Sequence, residues 1–179
     1  MRIISGKYKG RKLYPNKTFN ARPTTDFAKE SLFNILNNYF FFEDLKVLDL
    51  FAGTGSIGLE FISRGSKNVE LVEMDPANYK FIGEAIKTLE ISGAKLIRSD
   101  AFKYLKFCKG DYTIIFADPP YDMEGIPEIP EIIFRRSLLK KEGWLILEHS
   151  RNLNFKNHPR FFEERIYGNV HFTIFISEY

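Results

Sequence analysis

From residue 44 onward the chain alternates short apolar runs with amphipathic stretches, and that alternation leaves few folds open to it. The runs are KVLDLF, NVELVEM, KLIRSD, YTIIFAD and WLILEHS; between them, apolar residues recur at helical spacing over about 56–65, 76–92, 101–109 and 128–139. Strands that alternate with helices imply right-handed βαβ units and a mostly parallel sheet covered on both faces. The stretch FFEERIYGNVHFTIFISE departs from this rule. Two strand-like segments meet there at Gly168-Asn169, a hairpin turn signal, with no room for a helix between them. The 179 residues suffice for one domain with its own core, and no repeat or internal boundary divides them.

Ahead of the alternating region lies a basic appendage, residues 1–22, attached to a main domain over 23–179. RIIS, GKYKG and RKLY suggest two short strands around a glycine-bounded turn, too small to fold alone. Thr24, Thr25 and Asp26 offer capping oxygens to a helix whose apolar residues are Phe27, Ala28, Leu32, Ile35, Leu36 and Tyr39. The net charge is only +3, but Arg2, Lys7, Lys9, Arg11, Lys12, Lys17 and Arg22 all precede the first acidic residue, Asp26. With Tyr8, Tyr14 and Phe19 interleaved, this block suits a polyanion such as RNA: the cations neutralise phosphates and the rings stack on unpaired bases. A merely solvated basic hairpin explains the same residues. One cysteine, Cys108, permits no intramolecular disulfide and no Cys/His zinc cluster, and no metal site is expected. No apolar run is long enough to span a bilayer and no export signal is visible, so the cytoplasm is the expected compartment.

KVLDLFAGTGSIG carries the first functional signal. GTGSIG fits G-x-G-x-x-G, the turn that opens a helix after a strand and cradles a dinucleotide. Asp49, at the end of the strand, argues against a dinucleotide, because a carboxylate there repels a pyrophosphate. S-adenosylmethionine carries a sulfonium and an α-ammonium, both cationic, and turns Asp49 into an asset. Gly53 and Gly55 then let the backbone approach the amino-acid part of that cofactor. Glu73, about 20 residues on, is placed to accept both ribose hydroxyls, a device that dinucleotide folds share. Asp100, followed by Ala101, is placed to meet the adenine amino group. Helix capping explains any one of these carboxylates but explains three at successive strand ends poorly.

Asp118-Pro119-Pro120-Tyr121 ends the fourth strand. Two prolines fix the backbone and leave carbonyls free to accept hydrogen bonds. An exocyclic amino nitrogen on a nucleobase is a weak nucleophile because its lone pair is delocalised. If the Asp118 carboxylate and the Pro119 carbonyl hold its two hydrogens, the nitrogen pyramidalises and directs its lone pair outward, with Tyr121 stacked on the base. Such a base must be flipped out or unpaired. A Pro-Pro turn that simply ends a strand is the plainer alternative.

The parallel sheet ending in an antiparallel hairpin resembles the class I methyltransferases, and DPPY resembles the [DNS]-P-P-[YFW] motif of amino-directed nucleic-acid methyltransferases. In order, RIISGKYKGRKL, RPTTDFAKESLFNIL, VLDLFAGTGSIGLEFISRG, VELVEMD and DPPY are similar to the bacterial 16S rRNA guanine-N2 methyltransferase family, which acts in the small-subunit head near the P site. The resemblance implies an α/β class I S-adenosylmethionine-dependent fold: a seven-stranded, mostly parallel sheet with a C-terminal antiparallel hairpin and a short N-terminal hairpin. It implies methyl transfer from S-adenosyl-L-methionine to guanine N2, with 16S rRNA or the assembled small subunit as partner; a monomer is expected, because sites of this kind seldom need a second copy. Carried over position by position, the cofactor set is Asp49, Phe51, Ala52, Gly53, Thr54, Gly55, Glu73, Met74, Asp100 and Ala101. The catalytic set is Asp118, Pro119, Pro120 and Tyr121, and the RNA-binding set is Arg2, Lys7, Lys9, Arg11, Lys12, Arg22 and Thr24. One departure stands out: the family has Gly-Gly where this chain has Ser5-Gly6, which would alter a contact if that pair lets backbone approach RNA. A DNA adenine-N6 methyltransferase and a non-catalytic RNA-binding assembly factor are the competing readings. The first usually needs an added DNA-reading domain, and the second would be marked by loss of Asp49, Glu73 or Asp118. His149 reads as a neutral hydrogen-bonding histidine rather than a general base, and Cys108 as packing. The YFFF run at 39–42 either covers the sheet or makes an interface.

Overall fold

A computed structural model describes residues 1–14 and 26–178. The expected cap at Thr24 and Thr25 and the candidate residue Arg22 lie outside the described residues, as does Phe19. The chain order is α1 (Asp26–Tyr39), β1 (Lys46–Asp49), α2 (Ser56–Ser63), β2 (Asn68–Glu73), α3 (Pro76–Thr88), β3 (Ala94–Arg98), α4 (Ala101–Phe107), β4 (Tyr112–Ala117), α5 (Glu128–Arg135), β5 (Leu139–His149), β6 (Phe161–Tyr167) and β7 (Val170–Ile176). The seven strands form one sheet in the order β3-β2-β1-β4-β5-β7-β6. β1 to β5 are parallel; β7 inserts antiparallel beside β5, and β6 forms the edge.

The continuous apolar runs arise because the central strands are covered on both faces. Val47, Ile114, Phe116, Trp144 and Ile146 share one core with α1, α2 and α3. Leu48, Ile115, Leu145 and Leu147 share the other with α4 and α5. In α1, Ala28, Leu32, Phe33 and Leu36 are buried, and Phe33 meets Phe61 of α2 at 4.7 Å between ring centroids. The YFFF run divides its work. Tyr39 and Phe40 pack on Trp144 at 4.8 and 5.1 Å, Phe42 enters the core, and Phe41 stays exposed. α5 stops four residues short of the expected 139, because Ser137 takes φ 50° and turns the chain into a β5 that begins at Leu139. No helix among the described residues is long and apolar enough to cross a membrane.

The two arms of the appendage pair antiparallel over a short span: Arg2 bridges Lys12, flanked by bonds from the Ile3 N–H to the Arg11 carbonyl and from the Leu13 N–H to the Met1 carbonyl, both at 3.0 Å. The backbone N–H groups of Ile4 and Ser5 donate to Glu60 of α2, at 2.8 and 3.0 Å, and so dock the first arm on that helix. Glu60 is fully buried, and also accepts from Arg64 at 2.9 Å and faces Lys29 Nζ at 3.6 Å. Lys29, itself buried, donates to the Arg2 carbonyl at 2.7 Å and to Ser56 Oγ at 3.1 Å. Buried charges persist in a core only when paired and hydrogen-bonded in this way.

Gly6 takes φ +80°, and a Cβ there would sit 1.7 Å from the Ser63 carbonyl oxygen. The close backbone approach at Ser5-Gly6 is therefore made to α2. Ser5 uses only its backbone in the contact, which explains why a serine serves at the first of the two positions. Gly6→Ala is expected to undock the appendage: amide exchange at Ile4, Ser5, Lys7 and Tyr8 should rise by at least tenfold while exchange in β1 and β4 stays near wild type.

Candidate functional site

The strand order reverses between β1 and β4, and in open α/β sheets ligands bind at the carboxyl ends of strands flanking such a switch point. A cavity of about 570 Å³ opens there. Of the ten residues expected to meet a cofactor, nine line it; Gly55 does not, because its Cα faces Leu59 and Ile82 in the core. All four residues of the DPPY segment line the same cavity.

Asp49 ends β1 with 1% of its surface exposed. Its Oδ2 accepts the Gly58 N–H at 2.9 Å, while Oδ1 is buried with no hydrogen-bond partner among the described residues. A Cβ on Gly58 would lie 2.6 Å from Leu71 and 3.1 Å from Asp49 Oδ2, so glycine lets the first turn of α2 reach the carboxylate. Burial is the main reason the Asp49 pKa rises from 3.8 to about 7; the Gly58 hydrogen bond lowers it, and the nearby Glu73 raises it further.

Phe51, Ala52, Gly53 and Thr54 form the loop between β1 and α2. The Gly53 N–H donates to Glu73 Oε2 at 2.7 Å, and the Asp75 N–H donates to Glu73 Oε1 at 2.7 Å. Glu73 thereby ties the glycine loop to the end of β2, and desolvation holds its pKa above the usual value. Met74, largely exposed, lies on the rim. Asp100 caps α4 by accepting the Lys103 N–H at 2.8 Å, with Ala101 buried behind it. Capping is thus part of the role of Asp100, and it leaves Asp49 Oδ1 unexplained.

On the β4 side, Asp118 is half-buried, Pro119 buried, and Pro120 and Tyr121 exposed. The Met123 N–H donates to the Pro120 carbonyl at 2.9 Å, closing a turn around Tyr121. The Tyr121 hydroxyl donates to Glu148 Oε1 at 3.0 Å. Glu148, Asn169 and Val170 also line the cavity, and the sequence reading missed all three. Strand alternation offered a signal for Glu148. It falls on the opposite side of β5 from His149, which is buried and does not line the cavity. His149 Nδ1 donates to the Ser150 carbonyl at 2.8 Å and Nε2 accepts from Thr173 Oγ1 at 2.7 Å; burial lowers its pKa, so it stays neutral. Cys108 is buried in the core, and burial pushes its thiol pKa up.

Arg2, Lys7, Lys9, Arg11 and Lys12 are all exposed. Arg2 pairs with Asp26 at 3.2 Å, and through Lys29 its backbone connects to Ser56 on the cavity wall. Lys7 lies at the far end of α2, its N–H donating to the Ser63 carbonyl at 2.7 Å. Of the expected stacking rings, Tyr14 is exposed, whereas Tyr8 packs against the core. No group of His, Cys, Asp or Glu among the described residues could hold a metal ion.

A seven-stranded sheet with β7 inserted antiparallel, over a cleft lined by carboxylates, defines the class I S-adenosylmethionine-dependent methyltransferases. Comparison with known proteins agrees. The chain belongs to the family described as "Conserved hypothetical protein 95", whose model matches residues 1–176. The Escherichia coli (strain K12) ribosomal RNA small subunit methyltransferase D is 38% identical over 145 residues, which is 81% of this chain and 69% of that protein. YlbH of Bacillus subtilis (strain 168) is 36% identical over 157 residues, 86% of this chain and 84% of its own. The solved structure of yhhF from Escherichia coli superposes with a TM-score of 0.87 at 30% identity, covering 99% of this chain and 98% of that one.

The raised Asp49 pKa has a consequence for stability. Its folded value, about 7, lies above the ordinary 3.8, so its contribution is fully present below about pH 4 and is lost as pH rises through 7, an effect on the order of 4 kcal/mol. Asp49→Asn should therefore flatten the fall in ligand-free stability between about pH 4 and pH 7, as measured by urea denaturation.

Proposed function

We propose that this protein transfers a methyl group from S-adenosyl-L-methionine to the exocyclic N2 amino group of a guanine in 16S rRNA of the small ribosomal subunit, acting as a monomer. The observation that carries the reading is a shared cavity. The Asp118-Pro119-Pro120-Tyr121 edge and the buried Asp49 carboxylate line the same 570 Å³ space. The names of the relatives, as ribosomal RNA small subunit methyltransferases, support the substrate class.

The residues present fit the cofactor. Asp49 Oδ1, buried and unpartnered among the described residues, suits an ammonium. Glu73 accepts the backbone N–H groups of Gly53 and Asp75, and a carboxylate's further acceptor capacity suits a ribose hydroxyl. Asp100 and Ala101 suit the adenine, and Phe51, Ala52, Gly53, Thr54 and Met74 supply the surrounding wall. The cofactor, when bound, supplies a methyl group made electrophilic by a sulfonium. The protein's part is to present the acceptor. Asp118 and the Pro119 carbonyl accept the two amino hydrogens, the nitrogen pyramidalises, and Tyr121 holds the ring flat; as the N–C bond forms and the sulfur–methyl bond breaks, the nitrogen becomes acidic and gives up one of those protons to solvent by way of Asp118. Orientation of this kind is worth on the order of 7–11 kcal/mol, and no strong base is needed. Arg2, Lys7, Lys9, Arg11, Lys12, Arg22 and Thr24 are the proposed RNA contacts, with the cations meeting the phosphates.

Nucleoside mass spectrometry of unmethylated small subunits and free 16S rRNA, each treated with the protein and S-adenosylmethionine, tests the reading. N2-methylguanosine at one position is expected; N6-methyladenosine would move the protein to the adenine-directed class, and cofactor binding without product would indicate an assembly factor. Asp118→Ala should lower the transfer rate about a hundredfold or more while cofactor affinity changes little. Because Asp49 must be ionised to accept an ammonium, cofactor affinity should fall as pH drops below about 7, by up to tenfold per unit, in isothermal titrations.

A further inference from the structure

We infer that Glu148 is a positioning residue for the methyl acceptor: it holds Tyr121 by the hydroxyl so that the ring presents a fixed face to the incoming base. The inference rests on the acceptor reading given above and deepens it, because DPPY alone does not orient Tyr121.

Three restraints converge on this side chain. Pro119 and Pro120 limit the backbone before it. The bond from the Met123 N–H to the Pro120 carbonyl closes the turn that contains it. The hydroxyl is then tethered to Glu148 Oε1 at 3.0 Å. Tyr121 is 42% exposed, so burial in the core does not fix it as it fixes the residues of β5. Glu148, in contrast, is only 3% exposed at the end of β5, a strand fixed on both sides by β4 and β7. The sheet thus transmits its rigidity to a partly exposed side chain through the hydrogen bond between Glu148 and Tyr121. A stacking surface that is already oriented does not lose side-chain freedom when the base arrives.

The pair also explains why a buried carboxylate occupies this strand end. Neighbouring β5 residues Leu145 and Leu147 complete a core, whereas Glu148 faces the cavity that holds the acceptor edge. A carboxylate accepts a stronger hydrogen bond from a phenol than a neutral group does.

The test is a double-mutant cycle read as kcat/KM for RNA, with cofactor affinity titrated in parallel and the product identified by mass spectrometry. Glu148→Ala and Tyr121→Phe should each lower kcat/KM about tenfold, mostly through KM, and the double variant should be no worse than either single one. Glu148→Gln keeps an acceptor and should recover most of the Glu148→Ala loss. Cofactor affinity should be unchanged in Tyr121→Phe and Glu148→Gln. Losses that multiply, a Tyr121→Phe enzyme as active as wild type, or cofactor affinity falling in step with activity would each overturn the inference. A wild-type product other than N2-methylguanosine would overturn the substrate reading instead and leave the cycle interpretable.

Discussion

The interaction on which the other contacts depend is the hydrogen bond from the Gly58 amide to the buried Asp49 carboxylate. A desolvated carboxylate at the centre of a sheet edge is costly, and it is retained here by bringing the first turn of a helix against it. That approach requires glycine at 58, which fixes how close α2 lies to β1 and β2. The loop between Asp49 and α2 is then held from the other side by Glu73. α2 has eight residues, and beyond its first turn the buried Glu60 and, at its end, Ser63 receive the appendage. One short helix therefore sets both the wall of the cavity and the seat of the basic arm.

Much of this was legible in the sequence. The alternation of apolar runs located the five parallel strands and the four helices between them, since strands buried on both faces leave unbroken hydrophobic runs. Gly168-Asn169 marked the hairpin because few other residues tolerate that turn. The strand-end carboxylates and DPPY were readable because each stands at the boundary of an apolar run, where polarity is conspicuous.

What escaped the sequence reading depends on long-range geometry. Glu148 and His149 are adjacent in sequence, and only the direction of β5 decides which faces the cavity. Asn169 and Val170 reach the cavity because β7 inserts between β5 and β6, an arrangement no local pattern records. The seat of the appendage is set by Glu60, more than 50 positions away, which takes the amides of Ile4 and Ser5. Gly55, indistinguishable from Gly53 in a motif, turns to the core because α3 packs behind it.

The insertion of β7 beside β5 also bears on the order of events during synthesis. Domains emerge from the ribosome N-terminal end first. When β5 has emerged, its edge toward β7 has no partner until the chain through Val170–Ile176 follows. For that interval the nascent protein displays Trp144 to Leu147 along an open strand edge, the kind of surface that pairs with other chains. β6 comes out earlier but pairs with β7, so it cannot shield β5. The wall bearing Asn169 and Val170 is therefore completed in the same step that closes this edge, and a nascent chain halted before β7 would have an incomplete cavity and an exposed strand together.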